Sequence, residues 1–214
     1  MVKLSKTSKL DGIMSWSLQA IDTCPGSSDG KGGLVDACKG CYATTGNYRF
    51  PNVKAPREFN REDWHRDDWI DDMVKALDSS RYFRWFDSGD MYDLKLAHKI
   101  LQVMELTSHC KHWLPTRMHK FAKFKTVIEA MQKLPNVSVR LSSDSVTGGL
   151  IEGLNTSTIF SDTLPVGATE CKAYQHEGKC NGCRACYDKS VSVIAYKAHG
   201  IKMAKVIKIL AVKG

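Results

Sequence analysis

The chain has 214 residues, of which 43% are hydrophobic and 25% are charged, a balance that is typical of a globular protein with a sizeable core. Lysine and arginine outnumber aspartate and glutamate by 31 to 23, and the formal net charge of +8 permits an anionic partner such as nucleic acid without requiring one. Because the sequence shows no long apolar segment and no apolar leader, we expect no membrane span, no export signal and a cytoplasmic location.

The first elements of the chain lead to a cysteine. Residues 13–22 alternate between apolar and polar side chains and predict a strand that delivers Cys24 at its carboxyl end. A Gly- and Ser-rich loop follows over residues 27–33. Residues 62–77 carry apolar side chains at helical spacing and predict a helix, with Asn60 as its N-terminal cap.

From residue 80 onward, strands and helices alternate. The pattern predicts strands at 82–86, 112–114 and 137–141. A helix capped by Asp93 follows the first strand, and a helix that ends before Pro135 follows the second. Because short strand–helix–strand units require right-handed crossovers, this order predicts a parallel sheet.

The last third of the chain is less regular. Residues 145–170 are polar, rich in Ser, Thr and Gly, and show no clear periodicity, which fits a segment that wraps the sheet edge or leads into the C-terminal cysteines. We expect a final strand at 191–196. The tail, 202–213, mixes lysines with apolar residues in a pattern that identifies no element. The predicted fold class is α/β, either a partial (β/α) barrel or an open parallel sheet. Residues 1–150 form its core, and residues 151–214 form a cysteine-rich, cluster-binding segment packed on that core as part of one structural unit.

Polar residues follow several of the predicted strands. Ligands of parallel α/β folds bind at the carboxyl ends of strands, so we expect a cleft at this edge of the sheet. The alternative is that these side chains only cap the helices that follow. The predicted catalytic residues are Asp87, Asp90, Thr116 and Arg117. The residues predicted to bind a cofactor are Ser88, Gly89, Asp90, Ser143 and Asp144.

Seven of the eight cysteines fall into two groups. The first group consists of Cys24, Cys38 and Cys41. The C-terminal group consists of Cys171, Cys180, Cys183 and Cys186. In an intracellular chain of this size, such cysteines indicate metal ligands rather than disulfides. The spacing of the C-terminal group favours a [4Fe–4S] cluster, with zinc as the alternative metal, and three thiolates in the first group would leave one iron open. Two clusters, or one cluster shared by both groups, both fit this pattern.

Ordered motifs across most of the chain, from about Ser15 to Gly200, carry a family resemblance. The motifs are Cys24-Pro25-Gly26, Cys38-x2-Cys41-Tyr42-Ala43, Asp87-Ser88-Gly89-Asp90, Cys180-x2-Cys183-x2-Cys186 and Tyr196-x2-His199-Gly200. Together they resemble the phage protein family called gene product 88. The resemblance implies a phage protein, located in the cytoplasm of an infected host cell, and implies little about mechanism.

The layout is more distantly similar to radical S-adenosylmethionine enzymes. That resemblance implies a partial (β/α) barrel, a [4Fe–4S] cluster held by three cysteines after the first strand, and S-adenosylmethionine bound at the open iron. Ser88-Gly89-Asp90 stands where those enzymes have a Gly-Gly-Glu motif. The chain departs from their compact C-x3-C-x2-C loop, because thirteen residues separate Cys24 from Cys38.

Two functions follow as expectations. In the first, the chain is an iron–sulfur enzyme of radical type that takes an electron from a donor and acts on a small molecule of unknown identity. In the second, it is a non-catalytic protein stapled by iron–sulfur clusters or by zinc, which binds nucleic acid or a protein partner.

Overall fold

The computed structural model of the chain describes residues 1–153 and 155–213. Within these residues the strands are β1 Ser5–Lys6, β2 Met14–Trp16, β3 Tyr82–Trp85, β4 Lys111–Thr116, β5 Val137–Ser142, β6 Thr156–Phe160, β7 Thr169–Cys171 and β8 Val193–Lys197. The helices are α1 Asp36–Lys39, α2 Pro51–Asp63, α3 Trp69–Leu77, α4 Leu94–Leu106, α5 Lys125–Lys133 and α6 Ile201–Lys213.

One mostly parallel sheet organises the described residues. Its strand order is β1-β2-β3-β4-β5-β6-β8-β7, and only the pairing of β1 with β2 is antiparallel. The prediction of an α/β fold with a parallel sheet is therefore confirmed, and the described strands do not close into a ring. Because strands β2 to β5 run in the same direction, the loops that follow them meet at one edge of the sheet.

Helices α3, α4 and α5 pack against the sheet through its main hydrophobic core. Strand β3 alternates, so that Phe83 and Trp85 point into the main hydrophobic core while Arg84 lies between them in sequence. Apolar residues of α3, α4 and α5 complete this core. Trp16 lies at its centre, with its ring 5.4 Å from that of Trp69 and 6.2 Å from that of Trp85. Burial of these large rings supplies much of the hydrophobic stabilisation of the fold.

The cysteine-rich segment packs on the other face of the sheet, against the strand residues that alternate with those of the main core. Trp113 of β4 forms a small cluster with Leu10 and Tyr187, and Cys180 and Cys186 pack against this cluster. The Arg84 guanidinium lies 4.5 Å from the centre of the Trp113 ring. Strand β8 pairs with β6 on one side and β7 on the other, which ties the segment into the sheet.

The first predicted elements need correction. The strand expected at 13–22 covers only Met14–Trp16, because the chain leaves the sheet to form the turns that lead to Cys24. The helix expected at 62–77 is replaced by the end of α2 and by α3. Asn60 caps neither helix: it is buried inside α2, and its side-chain amide donates to the carbonyls of Lys3 and Ser17.

Later boundaries also differ from the prediction. The strand expected at 112–114 is longer, and the residues before α5 form two short 3-10 turns rather than helix. Residues 145–170, which show no clear periodicity in the sequence, contain β6 and the start of β7. The tail that showed no clear pattern forms α6. The strands near 82–86, 137–141 and 191–196 and the Asp93 cap of α4 are confirmed, within a few residues at the ends.

Among the described residues, no helix is both long enough and apolar enough to cross a membrane.

Candidate functional site

A cavity of about 230 Å³ opens at the carboxyl edge of the sheet. All three cysteines of the first group line it. The predicted site residues that also line it are Asp87, Ser88, Gly89, Asp90, Thr116 and Arg117. Distant parts of the sequence therefore meet around one space, as the prediction of a cleft at this edge required.

Short turns place the three cysteines of the first group. The Cys24 carbonyl accepts hydrogen bonds from the Ser27 amide, at 2.9 Å, and from the Ser27 hydroxyl, at 2.6 Å, so that the chain reverses immediately after the thiol. Cys38 lies in α1, and its carbonyl accepts a bond from the Cys41 amide at 3.1 Å. Helix α6 covers this second turn, because Met203 lies directly against Gly40.

These three thiols are poor nucleophiles as they stand. Burial, followed by the charges of Asp90, Cys38 and Cys41, raises the pKa of Cys24 to about 12. Burial also raises the pKa of Cys38 and of Cys41, while the nearby Arg117 charge opposes the rise in both. Reactive cysteines have lowered pKa values, whereas a metal deprotonates its thiol ligands outright. The surroundings therefore disfavour covalent catalysis by a free thiol.

Asp90 ties together the ends of three strands. Its carboxylate accepts hydrogen bonds from the Thr116 hydroxyl at 2.8 Å and from the Arg117 and Met91 amides at 2.9 and 2.8 Å. Its own amide donates to the carbonyl of Thr23, beside Cys24. Burial raises the pKa of Asp90 to about 6, and the three donated bonds oppose this rise. Asp90 and Thr116 therefore hold the cavity wall in place, and these contacts use much of the hydrogen-bonding capacity of both side chains.

Asp87 lies between two arginines. Arg84 donates to one carboxylate oxygen at 2.9 Å, and Arg57 approaches the other at 3.5 Å. The Tyr48 hydroxyl also donates to this carboxylate. Both arginine side chains are at least nine-tenths buried, so the charge of Asp87 is neutralised in a largely dry environment.

The Ser88-Gly89 peptide packs tightly against the first cysteine turn. The Ser88 hydroxyl donates to the Leu18 carbonyl at 2.7 Å and accepts from Arg57 at 2.6 Å. Gly89 has φ +81°, and a Cβ atom there would lie 2.6 Å from Leu18 Cβ and 2.7 Å from Thr23 Oγ1. Only glycine fits both the backbone conformation and the space.

Ser143 and Asp144 do not line the cavity themselves. The Ser143 carbonyl accepts a hydrogen bond from Arg117 at 2.9 Å. The Asp144 carboxylate pairs with Arg117 at 3.2 Å and with Lys120 at 2.8 Å. The structure therefore brings these two predicted residues next to the site, where they position the Arg117 guanidinium.

Two residues with large side chains have left-handed backbones at the cavity wall. Ile21 has φ +72° and Phe86 has φ +55°, and both line the cavity. A positive φ is unfavourable for bulky and especially for β-branched residues, and such strain concentrates at functional sites. The two strained residues lie where the chain turns toward Cys24 and toward Asp87.

The C-terminal group lies apart from this cavity. Cys180 is anchored by its amide, which donates to the Lys9 carbonyl at 2.7 Å, and the Cys186 thiol lies 3.5 Å from the Tyr196 hydroxyl. Burial and, to a lesser extent, the charges of the other three cysteines raise the pKa of Cys180 to about 11, while the nearby Lys9 charge opposes the rise. Gly182 has φ +82°, a conformation that glycine adopts readily and that permits a tight turn in this loop.

All eight cysteines are free thiols. Among the described residues, no set of three or more His, Cys, Asp or Glu side chains is close enough to hold a single metal ion.

Sequence reasoning missed several cavity residues. Arg84 and Tyr42 line the cavity, and Met203 closes it from α6. A signal existed for Arg84, since an arginine between Phe83 and Trp85 in a strand must lie on the face opposite the core. No local pattern identifies Met203, because its position depends on where α6 docks.

The comparisons with known proteins give one finding. The family model described as Gene product 88 matches residues 2–202. A search of curated proteins and a search of solved structures each returned no match. The family match covers nearly the whole chain and confirms the resemblance carried by the ordered cysteine and aspartate motifs. The chain belongs to the gene product 88 family.

Proposed function

We propose that the chain is an iron–sulfur protein in which the first group binds a cluster with one iron open to the cavity. The observation that carries this proposal is that the three thiols of this group share one cavity with the rim residues predicted to bind a ligand. A cluster of several metals spreads its thiolate ligands more widely than a single ion does, so the proposal concerns a cluster rather than one ion.

The proposed activity is one-electron chemistry on a bound cofactor, with S-adenosylmethionine as the leading candidate. When bound, the cluster would supply the electron. Arg117 lines the cavity with its guanidinium held by Ser143 and Asp144, and in this proposal it would bind the carboxylate of the cofactor. Ser88 and Gly89 line the same wall, just after the positive-φ turn at Phe86.

The size of the cavity bears on the choice of cofactor. Pockets for drug-sized ligands span roughly 300–1,000 Å³. At about 230 Å³ the cavity is smaller, so a cluster together with an organic cofactor needs more space, which a shift of α6 would provide because Met203 of this helix lines the cavity. The proposal therefore includes an outward movement of α6 on cofactor binding.

The first test is the content of iron, sulfide and zinc in anaerobically purified protein, measured together with visible absorption. We expect brown protein with at least about four irons per chain. The Cys38→Ser variant should lose iron from the cavity, whereas Cys110→Ser serves as a control, because Cys110 is buried in the main core. Colourless protein that holds stoichiometric zinc after anaerobic reconstitution would exclude the iron–sulfur function.

A second test addresses the cofactor. Reconstituted protein with dithionite and S-adenosylmethionine is expected to release 5′-deoxyadenosine, and Arg117→Met should weaken binding of the cofactor without removing iron. If neither cleavage nor binding of S-adenosylmethionine is found in protein with a full cluster, the radical activity is excluded and the iron–sulfur assignment is unaffected.

The alternative function is binding of nucleic acid by a metal-stapled protein without catalysis. The observation that favours it is the row of exposed lysines along α6, at Lys202, Lys205 and Lys208, in a chain of net charge +8. This function predicts an affinity for nucleic acid that falls steeply between low and moderate salt. An affinity that does not change with salt contradicts it.

A further inference from the structure

Four polar side chains are buried together between the sheet and the cysteine-rich segment. Arg84, Trp113 and Ser138 occupy paired positions on β3, β4 and β5. Because neighbouring strands lie about 4.8 Å apart, these side chains are adjacent on the face opposite the main core. The turn Ala185–Tyr187 lies over β4 and β5, and its Tyr187 ring is 5.8 Å from the Trp113 ring. We call Arg84, Trp113, Ser138 and Tyr187 the Arg84 layer.

Each member of the Arg84 layer has a polar atom without a partner. Arg84 Nε, Trp113 Nε1, Ser138 Oγ and the Tyr187 hydroxyl are buried and make no hydrogen bond within the part of the chain that the structure describes. None of the four residues is more than 8% exposed, so bulk solvent does not reach these atoms. Buried polar groups are almost always paired, and four neighbouring exceptions indicate a ligand.

The surrounding protein groups do not provide the missing acceptor. The two terminal nitrogens of Arg84 are engaged elsewhere, since one donates to Asp87 at 2.9 Å and the other approaches the Tyr42 hydroxyl at 3.5 Å. The side chains packed around Trp113 and Tyr187 include the Cys180 and Cys186 thiols. Both cysteines are free, and a neutral thiol is only a weak acceptor.

The charges at the Arg84 layer favour a negative ligand. Arg84 and Arg57 are both at least nine-tenths buried, and among the described residues Asp87 is the carboxylate within ion-pair distance of either one. Two buried cations that share one carboxylate leave a positive charge without compensation, which is costly away from water. Arg140 adds a further buried cation on the same face, and the Asp188 carboxylate that acts on it is exposed.

The kinds of polar atom indicate the size of this anion. Arg84 Nε and Trp113 Nε1 can only donate, and the hydroxyls of Ser138 and Tyr187 can rotate to donate as well. A single water molecule has fewer acceptor sites than the layer has donors, and it brings no charge. A phosphate or sulfate ion has more acceptor sites than the layer has donors. A halide ion accepts from all four groups and balances the charge.

We propose that the Arg84 layer binds a small monovalent anion, chloride, between the sheet and the cysteine-rich segment. The ion fastens the turn Ala185–Tyr187 onto strands β4 and β5. Because only the folded chain brings the four groups together, bound chloride stabilises the folded state by mass action. This site is separate from the function proposed for the first group of cysteines, and it does not depend on which metal those cysteines bind.

The first experiment measures urea denaturation over a range of chloride concentrations, in a single metal state. Sodium gluconate keeps the ionic strength constant, because gluconate is too large for the layer. The midpoint of wild type should rise with chloride. Tyr187→Phe removes one donor and keeps the ring, so the chloride affinity read from the midpoints should fall about tenfold or more. Ser138→Ala, which removes only a hydroxyl, should have the same effect and serves if Tyr187→Phe does not fold.

Trp69→Phe is the matched control. It also removes a buried indole N–H without a partner, but Trp69 lies in the main core on the other face of the sheet. This variant should keep the chloride dependence of wild type. If Tyr187→Phe and Ser138→Ala keep it as well, the chloride effect does not arise at the Arg84 layer and the proposal is wrong.

The second experiment locates the ion directly. Crystals grown in sodium bromide should show an anomalous scattering peak within hydrogen-bond distance of Arg84 Nε and Trp113 Nε1. A water molecule there without a bromide signal would overturn the proposal. A bromide peak in protein whose urea midpoint does not change with chloride would mean binding at crystal concentration only, and would also overturn it.

Discussion

His112 shows how one buried residue sets a dependence on pH. Its Nδ1 accepts a hydrogen bond from the Trp85 indole at 3.2 Å. Its Nε2 lies 2.9 Å from the Thr107 hydroxyl, which itself donates to the Val103 carbonyl. This arrangement fits a neutral ring with the proton on Nε2. Burial lowers the pKa of His112 to about 4, so the folded protein resists protonation of this ring.

We therefore expect stability to fall as the pH drops from about 6.5 toward 4, because the unfolded chain takes up a proton that the folded chain excludes. The loss from this residue is on the order of 3 kcal/mol at the acid end. Urea denaturation of wild type and His112→Gln across this range, in the same metal state, measures the effect. The Gln variant should show a shallower dependence on pH, and identical slopes would contradict the prediction.

Gly89 is the residue at which a single methyl group should disturb the cavity. An alanine there meets both an unfavourable positive φ and the close contacts with Leu18 and Thr23. Gly12 provides the matched control, since it has φ +84° with no atom within 4 Å of an added Cβ. Gly12→Ala should cost about 1–2 kcal/mol from its backbone alone.

Gly89→Ala should cost more than Gly12→Ala and should also lower the metal content of the first group, because the Leu18–Thr23 turn that leads to Cys24 must move. Thermal denaturation and iron analysis of both variants provide the measurement. Equal destabilisation, with metal content unchanged in both, would show that the turn accommodates the methyl group.

At the scale of elements, α6 closes one wall of the cavity. Met203 is 6% exposed, lines the cavity and packs on the turn between Cys38 and Cys41. Met203→Ala should destabilise the protein by about 2–5 kcal/mol, as expected for a buried methionine, and should speed the loss of visible absorption in air. Val212→Ala, at a position 88% exposed on the same helix, should change neither property. A Met203 variant that bleaches at the wild-type rate would remove the closing role of α6.

The elements that the sequence predicted correctly are those with a local hydrophobic pattern. Strand β3 and helix α4 follow this rule, since burial on one face leaves a period of 2.0 or 3.6 in the sequence. Strand β6 was missed because its residues Thr156, Ser157 and Thr158 are polar yet buried. Their burial comes from neighbouring strands, which a local pattern does not report.

The candidate site, like the fold, could be predicted only where a local pattern in the sequence reports it. The cysteine groups and the polar rim could be found because parallel strands bring their carboxyl ends together, and the cavity confirms this convergence for Asp87, Asp90 and Arg117. The indirect position of Asp144 and the pairing of Asp87 with two arginines could not be found, because both depend on long-range contacts of individual side chains.

For the molecule as a whole, the two predicted parts, 1–150 and 151–214, should unfold together. Strand β6 extends the sheet from β5, and β8 continues it, so the second part completes the sheet of the first. All five tryptophans lie in the first part and report on its core. Their fluorescence and the hydrogen exchange of β8 amides should give the same urea midpoint, and two separate midpoints would divide the chain into independent units.

The place of Arg84 has a consequence for any chemistry that adds electrons to this protein. The side chain lines the cavity of the first group, and its charge also lowers the pKa of Cys186 in the C-terminal group, although burial of that thiol has the larger, raising effect. With a cluster in each group, one fixed positive charge would serve both. It would favour the reduction of each cluster, whereas an electron in either cluster would repel one entering the other and make the second reduction harder, and thermodynamic reciprocity makes this penalty the same in either order. A protein with both clusters bound would then take up two electrons in two separate one-electron reductions, at two different potentials.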